Sequence, residues 1–271
     1  LYAFTAEGDP NSGIIIGDDS VMVIDAQATP ILARQVIKKV RSVTDKPISH
    51  LVLSHYHAVR VLGASEYKAN NIIMSSKARS MVVERGQEDW DSEFDRFPRL
   101  FKGHEEIPGL TWPTTTFDKK MSLFLGKRRV DLYFLGRAHT AGDIVIHVPD
   151  SNVLFTGDIV EYKSACYCGD AHLQDWPQTL EKIAKFQSVS LVPGRGDALT
   201  DPRQIDDAIE LTEDFVKSTF KSVSKIAHAG GDLKAAMLSC RDECDKKFSD
   251  YAIYEHCLPF NVSRAFDEAK G

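Results

Sequence analysis

The sequence predicts an α/β protein, and three patterns support that prediction. Near the start, two apolar runs are followed by an amphipathic segment and a third apolar run, the strand–helix–strand order of an α/β fold. Residues 120–156 alternate short apolar runs with turn residues, which is typical of strands. The final third has the apolar spacing of long helices. With 271 residues and 43% hydrophobic composition, the chain can form one globular unit with a sizeable core.

The first half is predicted to hold four strands and two helices. Thr29 is a favourable N-cap residue and Pro30 suits the first helical position, so a helix is predicted at residues 29–44. A second helix is predicted at 76–97, before an irregular connection that contains several prolines. The strands are predicted at residues 13–16, 21–25, 48–54 and 71–75.

The second half is predicted to hold five further strands and then helices. The strands are predicted at residues 120–125, 130–135, 143–148, 153–156 and 191–193, with Lys127-Arg128-Arg129 in a solvated hairpin turn. Helices are predicted after Pro177, at 201–229 and at 233–248. We therefore expect a single domain over residues 1–271, with a helical C-terminal extension at about 201–271.

Composition narrows the classes of partner. A net charge of −6 leaves no basic surface for a phosphate backbone, so no nucleic acid is expected. No apolar run reaches the roughly 18 residues of a membrane helix, so no membrane partner is expected either. A small-molecule substrate is the expected partner, and a homo-oligomer stays open.

Five cysteines do not fit a secreted disulfide scaffold, which favours a reducing, cytoplasmic compartment; two bridges with one spare thiol are the alternative. The chain begins at Leu1, so a removed targeting segment is compatible with it.

The most informative motif is His55-Tyr56-His57-Ala58-Val59-Arg60, which follows a predicted strand. It begins like a metal-binding H-x-H-x-D-H motif, because imidazoles at i and i+2 of an extended backbone point the same way. Its second half differs. Val59 takes the Asp position and Arg60 the last His position, and neither side chain is a plausible metal ligand.

Three further polar groups stand at predicted strand ends: His139 in a glycine-containing loop, Asp158 in Thr-Gly-Asp, and Arg195 in Pro-Gly-Arg-Gly. With Asp25 and the His55 motif, their order resembles that of the metallo-β-lactamase superfamily, over residues 13 to about 198. The resemblance implies a four-layer αββα sandwich, in which two mixed β-sheets are flanked by helices and strand-end loops form the site.

The resemblance also implies residue roles. His55, His57 and His139 would be the imidazoles of the first metal site. Asp158 matches the carboxylate that bridges two metals in binuclear members, and Asp25 matches a buried residue that braces the motif loop by hydrogen bonds. The second metal site is lost, because Val59, Arg60 and Arg195 replace its ligands.

Both lost His positions hold arginine, which suggests a substitution of function. Two guanidinium groups supply about the charge of a divalent cation. We hypothesise that Arg60 and Arg195 occupy the place of the second metal and bind a substrate carboxylate or stabilise an oxyanion. The alternative is that they neutralise Asp158 and Asp25 as structural ion pairs.

One divalent metal ion, zinc in the favoured reading, would suffice for hydrolysis, because zinc brings the pKa of bound water to roughly 7 and creates a hydroxide nucleophile. The expected substrate is a small anionic ester, lactone, amide or thioester, with Asp158 as a ligand or general base. Two histidines with Asp158 would instead suit iron and an oxygenase or other redox enzyme. A non-catalytic binding relative with a vestigial site is the third reading.

The loop of residues 166–172 is expected on the same face as the metal. Cys168, Asp170 and His172 are candidates for lining the pocket as a ligand, proton shuttle or substrate contact, with His172 and Cys168 favoured over Asp170. The alternative is an ordinary loop in which the cysteines pack as small apolar groups.

Overall fold

Two β-sheets face each other in the computed structural model, which describes residues 1–6 and 8–271. Within this part of the chain, the first sheet has the order β1 (Tyr2–Ala6), β2 (Asp9–Ile16), β3 (Val21–Ile24), β4 (Ile48–Val52), β5 (Asn71–Ser75) and β6 (Thr115–Phe117). The second has the order β11 (Ser190–Pro193), β10 (Val153–Gly157), β9 (Val145–Val148), β8 (Arg128–Tyr133) and β7 (Lys120–Leu125). Both sheets are mixed: β3 to β6 are parallel, as are β10 and β11, and the other neighbours are antiparallel.

Helices cover the outer face of each sheet. They are α1 (Pro30–Arg41), α2 (Ala58–Val61), α3 (Ser76–Arg96), α4 (Trp176–Ala184), α5 (Pro202–His228), α6 (Leu233–Phe248) and α7 (Tyr254–Lys270). Short 3₁₀ turns occupy Ala64–Tyr67, Pro98–Phe101 and His104–Glu106. Residues of α1 and α3 pack on the first sheet and those of α4 to α7 pack on the second. The expected αββα sandwich is confirmed. Among the described helices, none is long and apolar enough to cross a membrane.

The space between the sheets is filled by apolar side chains from both. Met22 and Val52 of the first sheet share one buried cluster with Leu132, Ile146 and Phe155 of the second. Removing these surfaces from water is the main force that holds the sheets together. The two sheets are therefore fixed relative to each other, and so are the loops at their common edge.

The three C-terminal helices belong to the core beside the second sheet. Phe215, Phe248 and Leu258, one from each helix, share a buried cluster with Trp176 of α4 and Leu154 of β10. All five cysteines lie in the same cluster as buried free thiols. Helix α5 thus contacts the second sheet at β11, and α6 and α7 pack on α5 and extend the same core.

The boundaries differ from the sequence-based ones where tertiary contacts decide them. The strand β8 begins at Arg128, so the predicted solvated turn is shorter than Lys127-Arg128-Arg129. The strand β4 ends at Val52, because the chain then turns toward the strand-end loops. Helix α7 continues through Pro259, a residue that usually ends a helix.

Candidate metal centre

The polar groups singled out by sequence meet at one edge of the sandwich. His55 and His57 follow β4 of the first sheet, whereas His139 lies in the loop between β8 and β9 of the second. Asp158 directly follows β10, and Arg195 follows the neighbouring parallel strand β11. The site is therefore built between the two sheets, from strand ends that the common core holds in place.

Three imidazoles form the centre of this cluster. The ring centroids of His55 and His57 are 4.9 Å apart, and each lies 4.7 Å from that of His139, with the planes nearly perpendicular. Each residue is 1% exposed. One nitrogen of each ring lies within 4.8 Å of the other two, close enough to bind a single metal ion.

The hydrogen bonds of His55 determine which of its nitrogens is free. The Ser54 hydroxyl donates to Asp25 Oδ2 at 2.8 Å, so its oxygen accepts a bond from His55 Nδ1 at 2.9 Å. A backbone N–H of Ser54 also donates to Asp25 Oδ1 at 2.7 Å. The lone pair of His55 therefore lies on Nε2, which is buried and has no hydrogen-bond partner among the described residues.

The other two imidazoles are held by acceptors as well. His139 Nδ1 lies 2.8 Å from the backbone oxygen of Tyr167, and His57 Nε2 lies 3.0 Å from Asp170 Oδ2. Because carbonyl and carboxylate oxygens only accept, these nitrogens carry the protons, and the lone pairs fall on His139 Nε2 and His57 Nδ1.

The two lone-pair nitrogens, His139 Nε2 and His57 Nδ1, are 2.9 Å apart, and two lone pairs at that distance repel unless a proton or a cation lies between them. Together with His55 Nε2, they form a three-nitrogen donor set that fits a divalent transition metal with one position left open.

When no metal is bound, the charges around the site decide whether His57 or His139 holds the proton between their facing nitrogens. Burial lowers the pKa of His139 to about 3. Burial also lowers the pKa of His57, but Asp89, Asp170 and Glu93 together raise it to about 9. A metal ion at the three imidazoles would displace this proton from His57.

Asp158 lies beside the imidazoles. Its Oδ2 is 3.6 Å from His139 Nε2 and 3.8 Å from His55 Nε2. Although burial acts to raise its pKa, Arg60 and Arg195 hold the pKa of Asp158 well below its usual range. A carboxylate stabilised in this way is a weak base, so the expected general-base role is not supported.

The Arg60 side chain points into the protein, and the residue is 1% exposed. It forms an ion pair with Asp158 and donates to the backbone oxygens of Asn11 and Gly194, each at 2.8 Å. The Nη1 atom that donates to Asn11 also lies 3.6 Å from Asp25 Oδ2. These contacts favour the ion-pair alternative for Arg60 over substrate binding, because its buried guanidinium pairs with Asp158 and does not line the cavity above the imidazoles.

Arg195 completes the charge arrangement around Asp158. Its Nη1 lies 2.7 Å from Asp158 Oδ2 and 2.8 Å from Glu161 Oε1. Unlike Arg60, it also lines the small cavity above the imidazoles. Arg60 and Arg195 thus place two guanidinium groups on one carboxylate, as the ion-pair alternative requires.

Two of the three candidates in the 166–172 loop lie elsewhere. Cys168 is fully buried in the core, where its N–H donates to Asn261 Oδ1 at 2.7 Å. His172 lies in a surface cleft with Arg137 and Arg264. Its backbone oxygen accepts bonds from the N–H groups of Asp175 and Trp176 where α4 begins, and its side chain points outward. The expected roles of Cys168 and His172 in the pocket are corrected by these placements.

Asp170, which sequence reasoning ranked last, is the member of that loop that reaches the cluster. Besides His57, its carboxylate binds the Tyr56 hydroxyl at 2.6 Å and the Arg85 guanidinium. Although burial acts to raise it, these partners, with His57 first, lower the pKa of Asp170 below its usual range. The residue is thus a fixed anion that orients His57.

Sequence reasoning missed two acidic residues of α3. Asp89 and Glu93 are buried and accept the backbone N–H groups of Ala58 and Val59, each at 2.7 Å. They hold the chain directly after His57. Their i, i+4 spacing on one helix face was the available signal, because such a pair on a buried face needs donors.

The cavity above the imidazoles has a volume of about 10 Å³, which is room for about one water molecule. It is lined by His57, Glu93, His139, Asp158 and Arg195, together with Arg96, Phe97, Tyr167, Ile253 and Cys257. Arg96 was not predicted in any role.

Comparison with known proteins agrees with this geometry. A family model of the metallo-β-lactamase superfamily matches residues 5–189, which include β4, the His139 loop and β10. The chain belongs to the metallo-β-lactamase superfamily. Superfamily membership and the imidazole cluster support a metal-dependent hydrolase.

Relatives within the superfamily are distant. The chain is 24% identical over 203 residues to a type 2 metallo-β-lactamase of Bacillus cereus, covering 73% of this chain and 71% of the relative. It is 26% identical over 221 residues to that of Bacteroides fragilis, covering 78% and 79%. A solved metallo-β-lactamase from Pontibacter korlensis superposes with a TM-score of 0.60 at 18% identity, covering 80% of this chain and 92% of that one.

Proposed function

We propose that the protein is a hydrolase that uses one divalent metal ion, bound by His55, His57 and His139, to cleave a small anionic ester, lactone, amide or thioester. The observation that carries this proposal is the convergence of three imidazole lone pairs, each fixed by an acceptor on the opposite nitrogen. A metal ion bound by three imidazoles supplies a nucleophile from water at neutral pH.

The surrounding residues have positioning roles in this proposal. Ser54, Tyr167 and Asp170 hold the three rings in one orientation each. Asp158 stays ionised beside the rings, so it can accept a hydrogen bond from the attacking water and orient it.

The charge arrangement supports a single metal. Arg60 and Arg195 place two positive charges on Asp158, the residue that bridges two metals in binuclear members. A second cation next to these guanidinium groups would be repelled.

The same contacts favour zinc over iron. A two-histidine, one-carboxylate iron site needs a free carboxylate. Both oxygens of Asp158 already accept bonds from guanidinium groups.

Metal analysis of protein purified without added metal tests the proposal, with about one equivalent of zinc expected per chain. Chelation and His57→Ala should abolish cleavage of 4-nitrophenyl hydrogen succinate, whereas His147→Ala should not, because His147 binds Asn152 away from the site. Two equivalents of metal would exclude the single-metal reading. One equivalent of iron with oxygen uptake would exclude the hydrolase.

A further inference from the structure

Arg96 lies in the last turn of α3, against a group of aromatic rings. Its guanidinium carbon is 4.5 Å from the ring centroids of both Tyr167 and Phe260, and 5.4 Å from that of Phe97. Its Nε donates to the backbone oxygen of Ser92 at 3.2 Å. These contacts fix the plane of the guanidinium and leave its two terminal nitrogens for other partners.

Those two nitrogens have no partner in the described part of the chain. Both Nη atoms are buried and have no hydrogen-bond partner among the described residues. The other arginines around the site differ, since Arg60, Arg85 and Arg195 each bind a carboxylate. Arg96 as a whole is half-buried, but burying the charged end of a guanidinium without an anion is costly, and contacts with aromatic faces offset only part of that cost.

The unpaired guanidinium lines the same cavity as the imidazoles. His57, His139 and Arg195 form other parts of that cavity. Tyr167 connects the two groups, because its ring lies 5.6 Å from the His57 ring and 6.2 Å from the His139 ring. Glu93 and Asp158 also line it, but their carboxylates accept bonds from Val59 N–H and from the guanidinium groups of Arg60 and Arg195. An anionic molecule in this cavity would have the Arg96 guanidinium on one side and the imidazoles of His57 and His139 on the other.

We propose that Arg96 binds a carboxylate group of the substrate. Two parallel N–H donors of a guanidinium match the two oxygens of a carboxylate. This inference rests on the proposed function and narrows its substrate class to molecules that carry a carboxylate near the scissile carbonyl. Arg96 takes the substrate-binding role that the enclosed Arg60 does not perform.

Substrate entry requires one wall of the cavity to move, because the closed cavity holds about one water molecule. The start of α7 is the wall with backbone strain. Ile253, which precedes the helix, has a φ of 57°, a left-handed conformation that is unfavourable for a β-branched residue.

Calorimetric titration of metal-loaded protein with succinate, and with neutral succinamide, tests the role of Arg96. We expect Arg96→Met to weaken succinate binding by about tenfold to a hundredfold, the effect of losing a charge-assisted pair, without changing the affinity for succinamide. Arg96→Lys should recover part of the loss. Arg79→Met, at an exposed position of the same helix, should match the wild-type protein.

Unchanged succinate affinity in Arg96→Met would overturn the proposal, as would an equal loss for succinamide or no succinate binding by the wild-type protein. Thermal unfolding distinguishes substrate binding from a structural role, because Arg96→Met should not lower the Tm if the guanidinium has no anionic partner in the protein. The titration needs no turnover. Loss of succinate binding in Arg96→Met without ester cleavage by the wild-type protein would contradict the hydrolase and leave the Arg96 site standing.

Discussion

At the scale of single residues, each imidazole of the cluster has its own kind of acceptor: a hydroxyl, a backbone carbonyl or a carboxylate. These acceptors decide which ring nitrogen keeps the lone pair. Asp170 is the strongest of them, because it is charged and is itself held by Tyr56 and Arg85.

Asp170→Asn should weaken metal binding about tenfold to a hundredfold, since an amide orients and polarises the ring of His57 less well than a carboxylate. Competition with a chromophoric chelator measures this affinity. Asp175→Asn is the control, because Asp175 pairs with Arg137 at the surface. Equal affinities in all three proteins would show that Asp170 does not act through His57.

Arg60→Met should lower the free energy of unfolding by about 3–5 kcal/mol, because it leaves the buried Asp158 with one guanidinium partner and removes one donor from each of the backbone oxygens of Asn11 and Gly194. Urea denaturation measures the loss. Arg241→Met removes an exposed ion pair with Glu255 and should cost less than about 1 kcal/mol. A similar small loss in both variants would mean that Arg60 is not a structural cation.

Residue choice within a loop was the least predictable part of the site. Sequence placed residues 166–172 near the metal, and Asp170 does reach His57. Cys168 and His172 do not, because a turn closed by Ala171 N–H and the Cys168 carbonyl directs their side chains to the core and to the surface. Such a turn depends on packing that a single sequence does not show.

At the scale of elements, the neighbouring ends of β10 and β11 are closer than side chains normally allow. A Cβ atom at Gly194 would lie 2.3 Å from Asp158 Oδ1 and 2.9 Å from Asp158 N. Gly194 thereby lets the two strand ends bring Asp158 and Arg195 together. The glycine before the arginine in Pro-Gly-Arg-Gly therefore avoids a steric clash with Asp158.

Gly194→Ala should destabilise the protein by about 1–3 kcal/mol, the usual cost of overpacking, and should shift Asp158 away from the imidazoles. Denaturant unfolding and metal titration check both effects. Asp197→Ala, at an exposed position of the same loop, should change stability by less than about 0.5 kcal/mol. If Gly194→Ala has the stability and the metal affinity of the wild-type protein, the ends of β10 and β11 can move apart without cost.

Elements with local signals were predicted well, and those that depend on burial were not. Thr29 accepts a bond from Leu32 N–H at 3.3 Å, as expected of an N-cap. Helix α7 had no such signal. Its Pro259 argues against a helix, yet Cys257, Leu258 and Val262 are buried on α5 and α6, and that packing outweighs the missing hydrogen bond.

At the scale of the whole molecule, the candidate metal site joins the two sheets. His55 and His57 come from the first sheet, and His139 comes from the second. A metal ion that binds all three would therefore oppose any separation of the sheets. Metal occupancy and global stability should be linked.

Metal removal should lower the free energy of unfolding by about 2.7 kcal/mol when the free metal had been at a hundred times its Kd. Urea unfolding with and without a chelator measures this difference. His57→Ala should unfold identically under both conditions, because it lacks one of the three ligands. If the chelator leaves the free energy of unfolding of the wild-type protein unchanged as well, the ion does not bridge the sheets.

The sequence by itself determined the fold class, the strand-end positions of the polar groups and the identities of the three imidazoles, since these follow from local periodicity and motif order. Only the tertiary structure decided what the arginines do. Arg60 proved enclosed, and the Nη atoms of Arg96 have no partner in the part of the chain that the structure describes, because a guanidinium's role depends on which acceptors distant elements bring to it. The sequence shows that an arginine is charged, but its burial and its ion-pair partners are decided only when the two sheets and their helices pack together.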